Sequence, residues 1–201
     1  MARAAAKKLD ASTALLEAAK KVLRQSGYAG LSTRAVAAEA GMPLSQIQYH
    51  FGSKLGLVVG LFEYLNAQLL DRQHTMFGNP DLKLSQQWEM ACEYLDDDIA
   101  SGYVRVLQEL IAASWADAAI AKVIRDGLMQ WIDLIVEVIG KNEHKLVGLG
   151  PFSPRELGAL VANAFIGAES LYLLGAERKG SPVRQALRRV GDLIRMAEGG
   201  V

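Results

Sequence analysis

The 201-residue chain has one cysteine, Cys92, three histidines and five prolines. A single cysteine excludes a disulfide framework, and any cysteine-based zinc site, within one chain. His50, His74 and His144 are scattered, so no second His or Cys stands at ligand spacing, and neither a metal nor a cofactor is expected. No glycine-rich loop is arranged to cradle a phosphate and no nucleophile stands beside a candidate base, which argues against an enzyme. Apolar runs of the ~18 residues that suggest a membrane span are also missing. The longest candidates are interrupted by Asp133 and Glu137, or by Asn163 and Glu169. The opening "MARAAAKKLD" is positively charged but has no apolar stretch behind it, so no signal peptide and a cytoplasmic location are expected.

An excess of charge of either sign is lacking too, with 22 basic and 22 acidic residues. Their placement is uneven. The first sixty residues contain Arg3, Lys7, Lys8, Lys20, Lys21, Arg24, Arg34 and Lys54 against Asp10, Glu17 and Glu39. Either this is a chance imbalance, or the first part of the chain meets a polyanion and the acidic remainder does not.

Strand alternation is absent and helical periodicity runs through almost the whole chain. "STALLEAAKKVLRQSG" puts Leu15, Ala19, Val22 and Leu23 on one face and is stopped by Gly27. Ser32 or Thr33 can cap a second helix reaching Ala40, and Gly41 ends it. Pro43 suits the first turn of a short third helix ending near His50 or Phe51. A long helix follows from about Lys54 to Arg72 or beyond. After the break "FGNPDLK" come helices over roughly 84–97, 102–115 and 118–141, then a loop, "HKLVGLGPF". Ser153, Pro154 and Glu156 predict a capping box and a helix to about Gly175. "GSP" at 180–182 starts a last helix in the same manner, and Asp96, Asp97 and Asp98 read as a solvated helix end.

Helix two, the glycine turn and helix three form a helix-turn-helix pattern. In that motif one helix braces on the backbone while the other lies in the major groove. Val36, Ala37, Ala40, Met42 and Ile47 can pack inward. Leu44, Ser45, Gln46, Gln48, Tyr49 and His50 then remain for DNA. Glutamine can pair bidentately with adenine and serine can bond to several bases. Tyr49, His50 and Lys54 can reach phosphates, although Tyr49 has an alternative place in the core.

"LSTRAVAAEAGMPLSQIQYHFGSKLGL" resembles the helix-turn-helix of the tetracycline-repressor (TetR) family of bacterial transcription regulators. The matches are Thr33, Val36-Ala37, Ala40-Gly41-Met42, Ile47, His50-Phe51 and Lys54 within about residues 12–57. Gln48, Pro43, Ser45 and Leu55 depart from the family's common Tyr, Ser, Gly and Glu. The resemblance implies an all-α fold: a flexible basic tail (1–11), a three-helix DNA-binding head (12–57, motif about 32–51) joined by a long helix, and a helical body for ligand binding and dimerisation (58–201). It also implies that Thr33 contacts a phosphate and Arg34 a phosphate or nearby guanine; alternatively Thr33 only caps and Arg34 is only solvated.

For the body the resemblance implies a pocket for a small organic ligand. Its candidates are Trp88, Tyr94, Tyr103, Glu109, Trp115, Met129, Trp131, Phe165 and Glu169, each of which also has a plain core or surface reading. A homodimer is implied, with Gly158, Ala162, Gly167 and Leu171 of one helix and Val183, Leu187, Val190 and Ile194 of the last as its interface; packing within one subunit explains these stripes as well. The expected partners are thus palindromic double-stranded DNA, a small ligand and a second copy. The expected activity is a repressor released from DNA by that ligand. A ligand-independent regulator or activator of the same fold is the alternative.

Overall fold

The computed structural model describes residues 2–145 and 151–199. All its regular elements among those residues are helical: α1 (Ala2–Gly30), α2 (Thr33–Glu39), α3 (Leu44–Phe51), α4 (Lys54–Phe77), α5 (Leu84–Ser101), α6 (Tyr103–Ser114), α7 (Ala118–Lys141), α8 (Pro154–Leu173) and α9 (Val183–Gly199), with short 3-10 turns at Glu143–Lys145 and Ala176–Lys179. Residues 146–150, most of the loop expected at 144–152, and Met1 of the expected tail lie outside the described residues.

The expected all-helical order is present, with instructive shifts at the ends. α1 begins at Ala2, so residues 2–11 are helical where a flexible tail was expected. Gly27 interrupts it as expected, with φ 65° and ψ −176°, yet one further turn reaches Gly30. α5 runs past the three aspartates to Ser101. These therefore lie inside a helix, and Asp96 is no simple solvated end: it accepts from Arg184 at 2.7 Å and from Arg188 at 2.6 Å.

The chain divides into two compact units, Met1–Gln68 with Asp98–Ile124, and Leu69–Asp97 with Arg125–Val201. The divisions fall inside α4, α5 and α7. The first unit is centred on Leu15, Leu31, Val36, Ile47, Leu57, Val58, Leu61, Phe62, Val104, Val106 and Leu110, all fully buried. At its polar edges Tyr64 Oη donates to Glu17 at 2.6 Å. α6 approaches α1 closely because residue 102 is glycine; a Cβ there would stand 2.9 Å from Leu23 Cδ2.

The core of the second unit is Leu84, Leu134, Ile135, Val138, Ile139 and Ile194, with Trp88, Trp131, Leu157, Val161 and Val190 packed against it. Its helix ends are closed by carboxylates. Glu198 accepts from the Leu84 N–H at 2.6 Å and from the Ser85 hydroxyl at 2.5 Å, so α9 caps the positive start of α5. Ser153 and Glu156 form the predicted capping box on α8. At α9 it is Glu177 that accepts from the Arg184 N–H, at 3.0 Å, where Ser181 was expected to cap.

Candidate nucleic-acid interface

Helices of seven and eight residues lie well below the ~12–15 residues at which an isolated helix becomes marginally stable. α2 and α3 therefore exist only through what holds them. Ser32 caps α2, its hydroxyl accepting from the Ala35 N–H at 3.1 Å. Thr33 is the first helical residue and does not provide that cap. At the other end Gly41 takes the left-handed φ of 62°. The Gly41 and Met42 N–H groups then close back on Ala38 and Ala37 at 3.1 and 2.9 Å. Pro43, expected in the first turn of α3, stands one residue earlier as its N-cap, extended at φ −60°, ψ 145°.

Val36 and Ala37 bury α2, and Ile47 is the buried residue of α3. Full burial of an Ile side chain stabilises by roughly 1.5–3 kcal/mol relative to leaving it exposed. Phe51 supplies a second anchor against α4. A Cβ on Gly60 would approach the Phe51 ring to 3.1 Å, and one on Gly56 would overlap the Phe51 carbonyl oxygen. Glycine at 56 is thus required for α3 to end where it does. Ser53 caps α4, accepting from the Gly56 N–H at 2.9 Å.

With Ile47 turned in, Leu44, Ser45, Gln48 and Tyr49 are exposed, Tyr49 at 65%. Their spacing of one, four and five residues makes a single outward face. Gln46 and His50, also one turn apart, are half-buried beside it. The Tyr49 ring meets His50 edge-on at 5.0 Å. Arg34 is exposed on α2, Thr33 is half-buried, and Lys54 is exposed at the start of α4. The nine residues expected at DNA therefore fall on three successive helices of one unit. The two glutamines differ in a way that spacing did not indicate: Gln48 stands on the outer face and Gln46 on its flank.

The nine residues expected at a ligand are dispersed. Tyr103, Glu109 and Trp115 belong to the first unit. Tyr103 is core, stacked on Phe62 with its hydroxyl donating to Asn66 Oδ1 at 3.0 Å. Glu109 pairs with Arg105 at 3.8 Å. Trp115 is 84% exposed at the end of α6, where it lines no interior. In the second unit Trp88, Trp131 and Phe165 do meet, edge to face at 5.5 and 6.0 Å. Their indole N–H groups donate to the Leu187 carbonyl at 2.7 Å and to Gln73 Oε1 at 2.9 Å. Glu169 is buried on α8 one turn beyond Phe165. Met129 is partly exposed, and Tyr94 carries the Arg72 guanidinium over its ring at 4.5 Å. Cys92 is buried, and burial pushes its thiol up to about 11, which disfavours thiolate chemistry.

The stripes expected at a dimer interface divide. Gly158, Ala162, Leu187 and Ile194 are buried within the chain, and Val190 packs on the same core. A Cβ on Gly158 would lie 2.6 Å from Val136 Cγ2, so this glycine serves packing of α8 on α7. Val183 is half-buried. Of the expected set Leu171 is exposed, and Gly167 is half-buried with an open Cβ position. They continue a stripe that sequence reading missed: Leu160, Ala164, Gly167, Leu171 and Leu174, with Leu193 and Met196 exposed on α9. The spacing of four, three, four and three on α8 was the available signal. An open cleft of about 480 Å³ also lies in this unit, lined by Asp96, Glu177, Ser181, Arg184, Gln185 and Arg188 among others. Its charges already pair with one another. Arg184 bridges Glu177 and Asp96, which holds the Glu177 carboxyl below its ordinary range.

Among the described residues no group of three or more His, Cys, Asp or Glu could hold a metal ion, and no helix is long and apolar enough to cross a membrane. Residues 15–61 match the family model described as bacterial regulatory proteins, tetR family. The HTH-type transcriptional regulator CymR of Pseudomonas putida is 31% identical over 123 residues, which are 59% of this chain and 56% of that protein. The match thus spans little more than half of either. A TetR transcription regulator from Haloarcula marismortui superposes with a TM-score of 0.72 at 15% identity, covering 92% of this chain and 96% of that one. A transcriptional regulator from Rhodococcus sp. Rha1 does so with a TM-score of 0.71 at 22% identity, covering 94% and 98%. At such identities the likeness is one of fold, and it extends over the body as well as the head. Residues 15–61 thus match the tetR family of bacterial regulatory proteins, and the chain around them has the fold of the TetR regulators on which it superposes.

Proposed function

We propose that this chain is a homodimeric repressor that binds a palindromic DNA site through α3 and is released by a small organic ligand held in its second unit. The observation that carries the reading is the outer face of α3. An eight-residue helix held by Ile47 and Phe51 presents Ser45, Gln48 and Tyr49 to solvent, a set that can bond to base edges and phosphates. A dimer places two such helices one DNA turn apart, about 34–36 Å, which is what a palindromic site requires. Exposed Leu160 and Leu171 on α8, with Leu174 just past its end, support the two-fold contact. Apolar surface gathered on one face is the usual mark of association.

Ligand release is the less direct part. Trp88, Trp131 and Phe165 with buried Gln73 and Glu169 combine aromatic walls with a few polar groups, the composition of small-molecule sites. A ligand there lowers DNA affinity only by its difference in affinity for two conformations, typically ~1–3 kcal/mol.

Selection of bound duplexes from a random pool tests the DNA reading. The expected product is a palindrome whose affinity falls steeply with salt, because bound lysines and arginines displace counterions from phosphates. Lys54→Ala should weaken binding to every sequence alike. A pool that shows no enrichment, or binding indifferent to salt, would overturn it.

A further inference from the structure

Lys54 is an odd choice for the first residue of α4. Cations are disfavoured at a helix N-terminus by about 0.3–1 kcal/mol, and among the described residues Lys54 has no ion pair that would offset the cost. What it has is a ring: its ammonium stands 5.4 Å from the centroid of Tyr28. Tyr28 reaches this position because Gly27 takes φ 65°, breaking the axis of α1 just before it. A lysine side chain carries about 2 kcal/mol of rotamer entropy, which an unsupported chain must give up when it closes on a phosphate. An ammonium resting on a ring face has lost part of that freedom already and keeps N–H donors for an anion.

We propose that Tyr28 is a positioning residue, its ring face holding the Lys54 ammonium ready for a DNA phosphate. This rests on the proposed phosphate contact of Lys54. Tyr28 also feels a charge at its other end: besides burial, the Glu109 carboxylate raises its phenol pKa. The ring and the hydroxyl therefore have separable jobs, and only the ring is assigned to Lys54.

The test uses the full chain and a fluorescein-labelled duplex of mixed sequence at low salt, since a phosphate contact does not depend on base sequence. Tyr28→Phe should bind as the parent does. Tyr28→Leu should weaken binding roughly 5- to 30-fold for two heads, because each freed Lys54 must then give up on binding ~0.5–1 kcal/mol, a part of its side-chain entropy. The same change should have no effect in a Lys54→Ala background. Mono- and trifluorinated phenylalanine at position 28 keep the shape while emptying the ring face, so they guard against a folding defect in Tyr28→Leu. Affinity should fall in steps along that series. Equal affinity along it, or additive losses in the double variant, would overturn the role of Tyr28 while leaving Lys54 on its phosphate. If Lys54→Ala itself bound as tightly as the parent, the phosphate contact and this inference would both fall.

Discussion

Glycine has contrasting roles in the two units. In the first, Gly56, Gly60 and Gly102 stand where a Cβ would meet Phe51 or Leu23, and Gly41 and Gly52 turn the chain with positive φ at the ends of short helices. In the second, Gly158 and Gly191 likewise let Val136 and Trp88 come close, but Gly140 of α7 and Gly167 of α8 stand in open space. There, order comes from long helices, an aromatic trio and carboxylates on helix ends. The difference follows from length. A helix of 20 or 24 residues has many contacts to set its place, whereas one of eight depends on two anchors and the approach that glycine allows.

If the two outward and inward faces of the second unit are correctly separated, substitutions one helix apart should fail differently. Leu187→Ala empties a buried site and should cost about 2–5 kcal/mol of stability, read by urea unfolding. Leu171→Glu should keep helicity by circular dichroism and convert a dimer to monomers in light scattering at micromolar concentration. A monomeric parent, or a Leu171→Glu protein that remains dimeric, would show that the α8 stripe serves something else.

In the first unit Gly56→Ala should destabilise by about 1–3 kcal/mol, because the new methyl group meets a backbone carbonyl that cannot rotate away. DNA affinity should fall with it, as α3 loses its seat on α4. A variant with unchanged melting and unchanged affinity would mean that α4 can shift at no cost. A comparable energy is expected at the bases. Gln48→Ala should alter base preference, at roughly 1–3 kcal/mol for a lost bidentate contact. Gln46→Ala, from a half-buried flank, should alter it less, and the same random-pool selection would detect the reverse order. The smallest effect is a gain. Gly140→Ala, exposed within α7 with nothing near its Cβ position, should stabilise by about 0.5–1 kcal/mol. A loss there would contradict the open space.

Much of the head was legible because its signals are local. Ser32, Gly41 and the alternation of Ile47 with polar residues act within a turn or two of chain, so reading them in order places α2 and α3 to within a residue. Pro43 was misplaced by one position because a proline is compatible with both the cap and the first turn. The dimer stripe was harder. Val183, Leu187, Val190 and Ile194 form an apolar row on α9, but a row says only that something covers it. Here α9 turns it toward Trp88 and the core of its own chain.

The residues alone therefore determined that the chain is helical, where its short helices begin and end, and that α3 carries polar groups on the side away from Ile47. Those properties depend on spacing, capping and glycine, all of which operate over a few residues. Tertiary structure decided which apolar face is inside and which is outside, that Gln48 rather than Gln46 leads the outer face, that Asp96 ties α5 to α9 through Arg184 and Arg188, and that Tyr28 lies beneath Lys54. Each of these is a meeting between residues at least two helical turns apart in sequence or set by a neighbouring helix. Periodicity measures a direction around one helix axis and contains no information about what stands on the other side.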